Sequence, residues 1–166
     1  MKCLCFSDSH GMSAYMSRAI EMHRDAEVVF FLGDGLSDID RFVYDRTKAW
    51  LAVRGNCDLT CEVGGSLVKK VDSITLCGKR IVFTHGDLYG AKYGTDGLVA
   101  LAIERGADIV LFGHTHEPFE KYIPNDDEGG IYLFNPGSVG ASYRTKTSYG
   151  IIDITDSGVC FSHGYF

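Results

Sequence analysis

Seven side chains of metal-binding type recur along this sequence in short clusters: Asp8 with His10, Asp34, Asn56, His85, and His114 with His116. Residues two apart in extended backbone project to the same side, so the Asp8/His10 pair and the His114/His116 pair can each grip one ion. Imidazole, carboxylate and amide oxygen, with no cysteine required, suit Mn²⁺, Fe, Ni²⁺ or Zn²⁺ better than Ca²⁺ or a structural cysteine–zinc site. Seven ligands are too many for one ion and a natural number for two, if one carboxylate bridges. Taken singly, each residue has a plainer reading. An aspartate after a strand is ordinarily a turn residue or helix cap, and a lone histidine is ordinarily a satisfied core or surface residue.

The elements that carry these residues make the joint reading stronger. Apolar runs predict a strand over residues 2–7, a helix over 12–24 with Tyr15, Met16, Ala19, Ile20 and His23 on one face, and a strand over 27–32. A short helix over 39–44 and a strand over 49–54 complete a β-α-β-α-β order. Residues 63–84 hold two or three strands with a hairpin turn at Cys77-Gly78-Lys79. A helix over 97–105, ended by Gly106, leads to a strand over 108–112. The last third is hairpins, 119–123 with 131–135 and 148–154 with 159–165. The run Asp126-Asp127-Glu128 at the first hairpin tip reads as a solvated turn. Asp8 and His10 follow the first strand, Asp34 the second, Asn56 the third, His85 the strand ending at 84, and His114 and His116 the strand ending at 112. Sites in open α/β sheets form at the carboxyl ends of strands. Independent turn chemistry does not put seven such residues in one relation to five strands.

Composition narrows the classes. The 166 residues are 45% hydrophobic and 23% charged, enough apolar material to outweigh ordering entropy, so disorder is excluded and one domain spanning residues 1–166 is expected. A net charge of −6 with no basic stretch longer than Lys69-Lys70 argues against extended nucleic-acid binding, whose affinity comes from Lys and Arg meeting phosphate. No apolar run approaches 18 residues, so no membrane span is expected. The start, MKCLCF, leads straight into Ser7-Asp8-Ser9-His10 with no room for a signal h-region, and a cytoplasmic location with reduced thiols is expected. Cys3, Cys5, Cys77 and Cys160 lie in strand-like runs and are expected as small core residues. Twenty glycines, where average usage of roughly 7% would give about a dozen, imply many permissive turns. Gly11, Gly33, Gly55, Gly86 and Gly113 each adjoin a candidate ligand.

Asp8-Ser9-His10, Gly33-Asp34, Gly55-Asn56-Cys57-Asp58, Thr84-His85-Gly86 and Gly113-His114-Thr115-His116 occur in the order and approximate spacing of five motifs. In this the chain resembles the calcineurin-like metallophosphoesterase superfamily. The resemblance spans residues 8–116, with Asn135-Pro136-Gly137-Ser138 extending it, and the lack of insertions makes it most similar to the small single-domain phosphodiesterase branch, which also contains the retromer scaffold subunit. It implies an α/β fold, a four-layer α-β-β-α sandwich of two mixed β-sheets flanked by helices. It also implies one metal held by Asp8, His10, Asp34 and His116, and another by Asp34, Asn56, His85 and His114, with Asp34 as the bridge. Manganese is the expected metal, with Ni, Fe, Co or Zn as alternatives. A hydroxide shared by two such ions attacks phosphorus in line. With two carboxylates and one hydroxide, the two divalent ions leave the site a single net positive charge, suited to an anionic ester.

Asp34, Asn56, Cys57, Asp58 and His85 are the candidate catalytic residues. Many members of the family have a histidine after the asparagine that protonates the leaving oxygen, and Cys57 stands there instead. A thiol is a poorer donor, which favours diesters or esters with good leaving groups. Asp58 is expected to orient a ligand or its loop, with a turn-capping carboxylate as the alternative. Tyr89 and Ser138 are candidate pocket-lining residues, and the late hairpins offer a surface for a possible homodimer. The expected function is a metal-dependent phosphodiesterase acting on a small phosphate ester. A phosphomonoesterase and a non-catalytic interaction scaffold are the alternatives.

Overall fold

The computed structural model describes every residue except 126–128, 141–145 and 156. Alternation along the strands dictates the layers. In β1 (Lys2–Phe6) and β2 (Val28–Phe31), Cys3, Cys5, Val28 and Phe30 face one way and Leu4, Phe6, Val29 and Phe31 the other. Both faces are buried, as near-continuous apolar runs in parallel strands require. The first set packs against the inner face of a second sheet, on Ile81, Phe83, Ile109, Leu111 and Phe134. The other set meets Met16 and Ala19 of helix α1 (Ser13–Met22), and Leu36 and Ile39 of α2 (Leu36–Ile39).

The first sheet runs β12-β11-β1-β2-β3, where β3 is Ala49–Ala52, β11 Ser148–Thr155 and β12 Gly158–Tyr165. β1, β2 and β3 are parallel, whereas β11 lies antiparallel to β1 and β12 to β11. A small hairpin, β4 (Glu62–Val63) with β5 (Ser66–Leu67), precedes the second sheet. That sheet runs β6-β7-β8-β10-β9, built from β6 (Val71–Leu76), β7 (Lys79–Thr84), β8 (Ile109–Leu111), β9 (Pro118–Asn125) and β10 (Gly129–Pro136). Here β7, β8 and β10 are parallel, with β6 and β9 antiparallel at the edges. Its outer face presents Val82, Val110 and Leu133 to Leu98, Leu101 and Ala102 of α3 (Asp96–Arg105). Two mixed sheets packed face to face, with helices outside each, give the four-layer α-β-β-α order.

Parallel strands point the same way, so the carboxyl ends of β1, β2, β3, β7, β8 and β10 gather at one end of the sandwich. Backbone bonds stitch their loops together there: the Asp8 N–H donates to Gly33 O at 3.0 Å, Gly113 N–H to His85 O at 2.9 Å and Gly140 N–H to Asp8 O at 3.1 Å.

Two expectations need correction. The short helix lies at Leu36–Ile39 rather than over 39–44, because its first N–H groups are held by a carboxylate 22 residues away, at Asp58. Cys3 and Cys5 are fully buried, but Cys77 sits at the exposed tip of the β6–β7 hairpin and Cys160 is exposed on the edge strand β12, so neither is a core residue. The charge run Asp126-Asp127-Glu128 lies outside the described residues. No helix among the described residues is long and apolar enough to cross a membrane.

Candidate metal centre

The backbone around the candidate ligands is held in a conformation that side chains other than glycine's avoid. Among the described residues six non-glycine positions have positive φ, and five of them are Asp8, His10, Asp34, His114 and His116, with φ between 44° and 68°. The sixth, Cys77, is a hairpin turn residue. Left-handed backbone costs a non-glycine residue about 1 kcal/mol or more, and it persists where the surroundings over-determine it. Here it turns the chain back sharply at each strand end and aims the side chains at a common point.

Asp8 is fully buried at that point. Its Oδ2 accepts the Ser7 hydroxyl and, at 3.1 Å, the His114 N–H. Its Oδ1 accepts no hydrogen bond from the described residues. Around that oxygen stand His116 Nε2 at 3.1 Å, His10 Nε2 at 3.8 Å and His85 Nε2 at 4.0 Å. Asp34, 3% exposed, has Oδ1 tied to the Cys57 N–H at 2.8 Å and Oδ2 3.4 Å from His85 Nε2. The fully buried His85 places its Nδ1 2.8 Å from Leu32 O, a contact that puts a proton on Nδ1 and turns Nε2 toward the carboxylates. His114 Nδ1 lies 3.1 Å from the same Nε2, and His10 Nε2 lies 3.4 Å from His116 Nε2. Two donor groups result, Asp8 with His10 and His116, and Asp8 with Asp34 and His85.

A buried carboxylate oxygen without a donor costs about 1–3 kcal/mol, and each facing pair of ring nitrogens is a hydrogen bond only in the tautomer that puts a proton on one of the two. A divalent cation satisfies both, so the donor set fits mixed N/O coordination of transition metals. The electrostatics agree. Burial opposes ionisation of Asp34, but His85 and the Cys57 N–H outweigh it and hold the carboxyl well below the usual carboxylate range. Burial disfavours the charged His85 ring, yet the Asp34 and Asp8 carboxylates outweigh it and raise its pKa. Burial, then the neighbouring His85 and Lys92, lower His114.

The residues after β3 are arranged differently from one another. Asn56 and Cys57 are exposed, and the Asn56 amide donates to Cys57 Sγ at 3.2 Å. A hydrogen bond to the Asp34 carboxylate, followed by burial, pushes the Cys57 thiol up to about 11. Asp58 reaches no ring nitrogen of the cluster. Its Oδ2 accepts the Asp34 and Gly55 N–H groups at 2.8 and 2.9 Å, and its Oδ1 accepts those of Gly35 and Leu36, both at 2.8 Å. One carboxylate thus clamps the Asp34 loop to the Asn56 loop. Their backbones pass so close that a Cβ on Gly55 would overlap Asp34 Oδ1. A cavity of about 400 Å³, whose lining includes His10, Asp34, Cys57 and Leu59, opens beside the ligands.

Several supports were not assigned their roles from the sequence. Ser7 and Ser138 hold Asp8, the latter through its hydroxyl on Asp8 O at 2.8 Å, and Asn135 Nδ2 donates to Gly113 O at 2.9 Å and Thr115 Oγ1 at 3.0 Å. Asp38 holds the loop that carries His10. Each partner is distant in sequence or adjacent to what it holds, so spacing did not reveal these contacts, although Asn135 and Ser138 belong to the Asn135-Pro136-Gly137-Ser138 motif. Ser138 is buried behind Asp8, and Tyr89 packs on the core beneath α3, so neither lines this cavity.

Residues 1–157 match the calcineurin-like phosphoesterase superfamily domain. The chain is 29% identical over 155 residues to the Bacillus subtilis protein named Probable metallophosphoesterase YsnB, covering 93% of this chain and 85% of that one. In fold it is similar to a structure described as a novel archaeal phosphodiesterase, with a TM-score of 0.76, 23% identity and full coverage of both chains. It is also similar to a single mutant of Vps29 from Entamoeba histolytica, with a TM-score of 0.73 and 21% identity over 100% of this chain and 99% of that one.

Proposed function

The chain belongs to the calcineurin-like phosphoesterase superfamily, and from that premise we propose that it is a dinuclear metal-dependent phosphodiesterase acting on a small phosphate ester. The observation that carries this reading is the fully buried Asp8 Oδ1, which accepts no hydrogen bond from the described residues while three imidazole nitrogens stand within 4.0 Å of it. Asp8, His10, Asp34 and His116 would hold one cation, and Asp34, Asn56, His85 and His114 the other, with Mn²⁺ the preferred ion. When bound, two such ions supply an acidified water for in-line attack and offset charge on the phosphoryl oxygens.

The protein's own groups prepare that chemistry. Leu32 O fixes the His85 tautomer and keeps Nε2 available as a ligand. The Cys57 N–H occupies Asp34 Oδ1, which leaves Oδ2 facing the site. The bond to Asp34 also keeps the Cys57 thiol protonated at neutral pH, where it is a weak proton donor beside the leaving oxygen. Esters whose alcohols leave readily are therefore favoured, and diesters over monoesters.

Metal-free protein given Mn²⁺ is expected to hydrolyse an activated aryl phosphodiester faster than the matching monoester. Asp34→Asn and His85→Ala should each lower kcat by about 10²-fold or more, with unchanged far-UV circular dichroism. Absence of turnover with each of Mn²⁺, Ni²⁺, Co²⁺ and Zn²⁺ would overturn the enzymatic reading, and faster monoester cleavage would overturn the diester preference.

A further inference from the structure

Asp38 is a carboxylate near the site that belongs to none of the ligand groups. Its Oδ2 accepts the Ser9 hydroxyl at 2.6 Å and the Gly11 N–H at 2.7 Å, so it grips the chain on both sides of His10. His10 and Gly11, like Asp8 before them, take left-handed backbone in the β1–α1 loop, with φ of 44° and 89°. The His10 N–H donates to Asp34 O at 3.3 Å, its ring meets only the His116 ring among the aromatic contacts of the described residues, at 5.1 Å between centroids, and its side chain is more than one-third exposed. It is thus a ligand with little packing to hold it.

Asp38 itself is well anchored. It lies on α2 between Leu36 and Ile39, both fully buried, and its N–H donates to Gly35 O at 2.9 Å. The start of α2 is in turn held by Asp58 through the Gly35 and Leu36 N–H groups. The Ser9–Asp38 bond lies so tightly over Gly35 that a Cβ there would overlap Ser9 Oγ. A continuous path therefore runs from the Asn56 loop through Asp58, α2 and Asp38 to the backbone beside His10.

We propose that Asp38 is the positioning residue that fixes His10 at the metal centre, so that the ion on the His10–His116 side depends on Asp38 while the ion on the His85–His114 side does not. This rests on the two-ion reading of the site. Asp38 acts through Ser9 and Gly11 and belongs to neither ligand group, although it also lines the cavity beside them. Losing such an outer partner of a ligand typically weakens metal affinity about 10- to 100-fold.

The test is Mn²⁺ titration calorimetry on the metal-stripped full chain, with metal analysis after dialysis, for wild type, Asp38→Ala, Asp38→Asn, Ser9→Ala and His10→Ala. Asp38→Ala is expected to keep one tight ion per chain and bind the other about 10-fold or more weakly. Asp38→Asn retains an acceptor oxygen and should restore affinity to within about 3-fold, while Ser9→Ala falls between. In the His10→Ala background, adding Asp38→Ala should cause no further loss, because Asp38 acts through His10. Two ions bound by Asp38→Ala as by wild type, or an additive loss in the double variant, would overturn the proposal. If Asp38→Ala fails to fold, Ser9→Ala and Asp38→Asn decide it by the same titration. The Gly11 amide of metal-free protein supplies a readout independent of any ion: its hydrogen exchange should quicken in Asp38→Ala and stay slow in Asp38→Asn. A wild type that binds only one ion refutes the two-ion reading, and amide exchange still judges the latch. A wild type with two ions but no turnover refutes the enzymatic reading alone.

Discussion

Cys57 shows how strongly one side chain is governed by its neighbours. Its motif places it where a proton donor belongs, and its thiol is exposed, yet its hydrogen bond to the Asp34 carboxylate, followed by burial, pushes its pKa up to about 11. Thiolate is the species that alkylates. Iodoacetamide labelling of metal-free protein, followed by peptide mass analysis, should therefore show slow modification of Cys57 up to about pH 9 and a steep rise toward pH 11. In Asp34→Asn the same peptide should label at lower pH, since the charge that opposes the thiolate is gone. Labelling at neutral pH as fast as a free thiol would contradict this account. The residue type and position of the candidate metal ligands could be read in the sequence, since each follows a strand end and all but Asp8 and His116 adjoin a glycine. The clamp made by Asp58 could be placed only as a choice between orienting a loop and capping a turn, because three of its four donors lie 22 to 24 residues away.

Elements were legible where periodicity is strong. The alternation in β1, β2, β7 and β8 separates inner from outer faces, and Gly106 ends α3 in left-handed backbone with φ of 57°. The misplaced element, α2, is four residues long, and tertiary contacts rather than local propensity set where it begins. Lys48 is a comparable case in the connection from α1 to β2. Its Nζ donates to the carbonyls of His23, Arg24 and Ala26 at 3.3, 3.0 and 2.5 Å, closing the chain reversal that follows α1. Lys48→Met should retain the stem's packing but lose these bonds and their charge. The expected cost is about 1–2 kcal/mol of unfolding free energy in urea. Phosphodiester turnover should stay within about 2-fold, because the change lies at the far end of β2 from the ligands. An unchanged urea midpoint would show the contact to be idle.

For the molecule as a whole, the Asp34–His85 pair links the metal centre to stability. The Asp34 carboxyl is lowered on folding, so its contribution is present above the usual carboxylate value of about 4 and is lost as pH falls through the folded value. His85 is raised, so its contribution is present below about 6.5 and is lost as pH rises through the folded value. Metal-free protein thus gains most from the pair between about pH 4 and 6.5. A cation needs the His85 Nε2 lone pair and expels that proton. The rise in Tm on adding Mn²⁺, relative to chelator, should therefore grow from pH 5 to pH 8. A Tm increment that is flat or largest at pH 5 would count against His85 as a ligand.

By itself the sequence determined most of the strands and helices and that seven ligand-type residues follow five strand ends. Those follow from periodicities of two and 3.6 residues and from turn chemistry, which are local. Only the tertiary structure decided that Asp8 stands in both donor groups, that five ligands occupy left-handed backbone, and that Asp58 and Asp38 hold the loops in place. These depend on hydrogen bonds and close backbone approaches between segments brought together by the two packed sheets. A strained ligand conformation persists only when that surrounding network holds it.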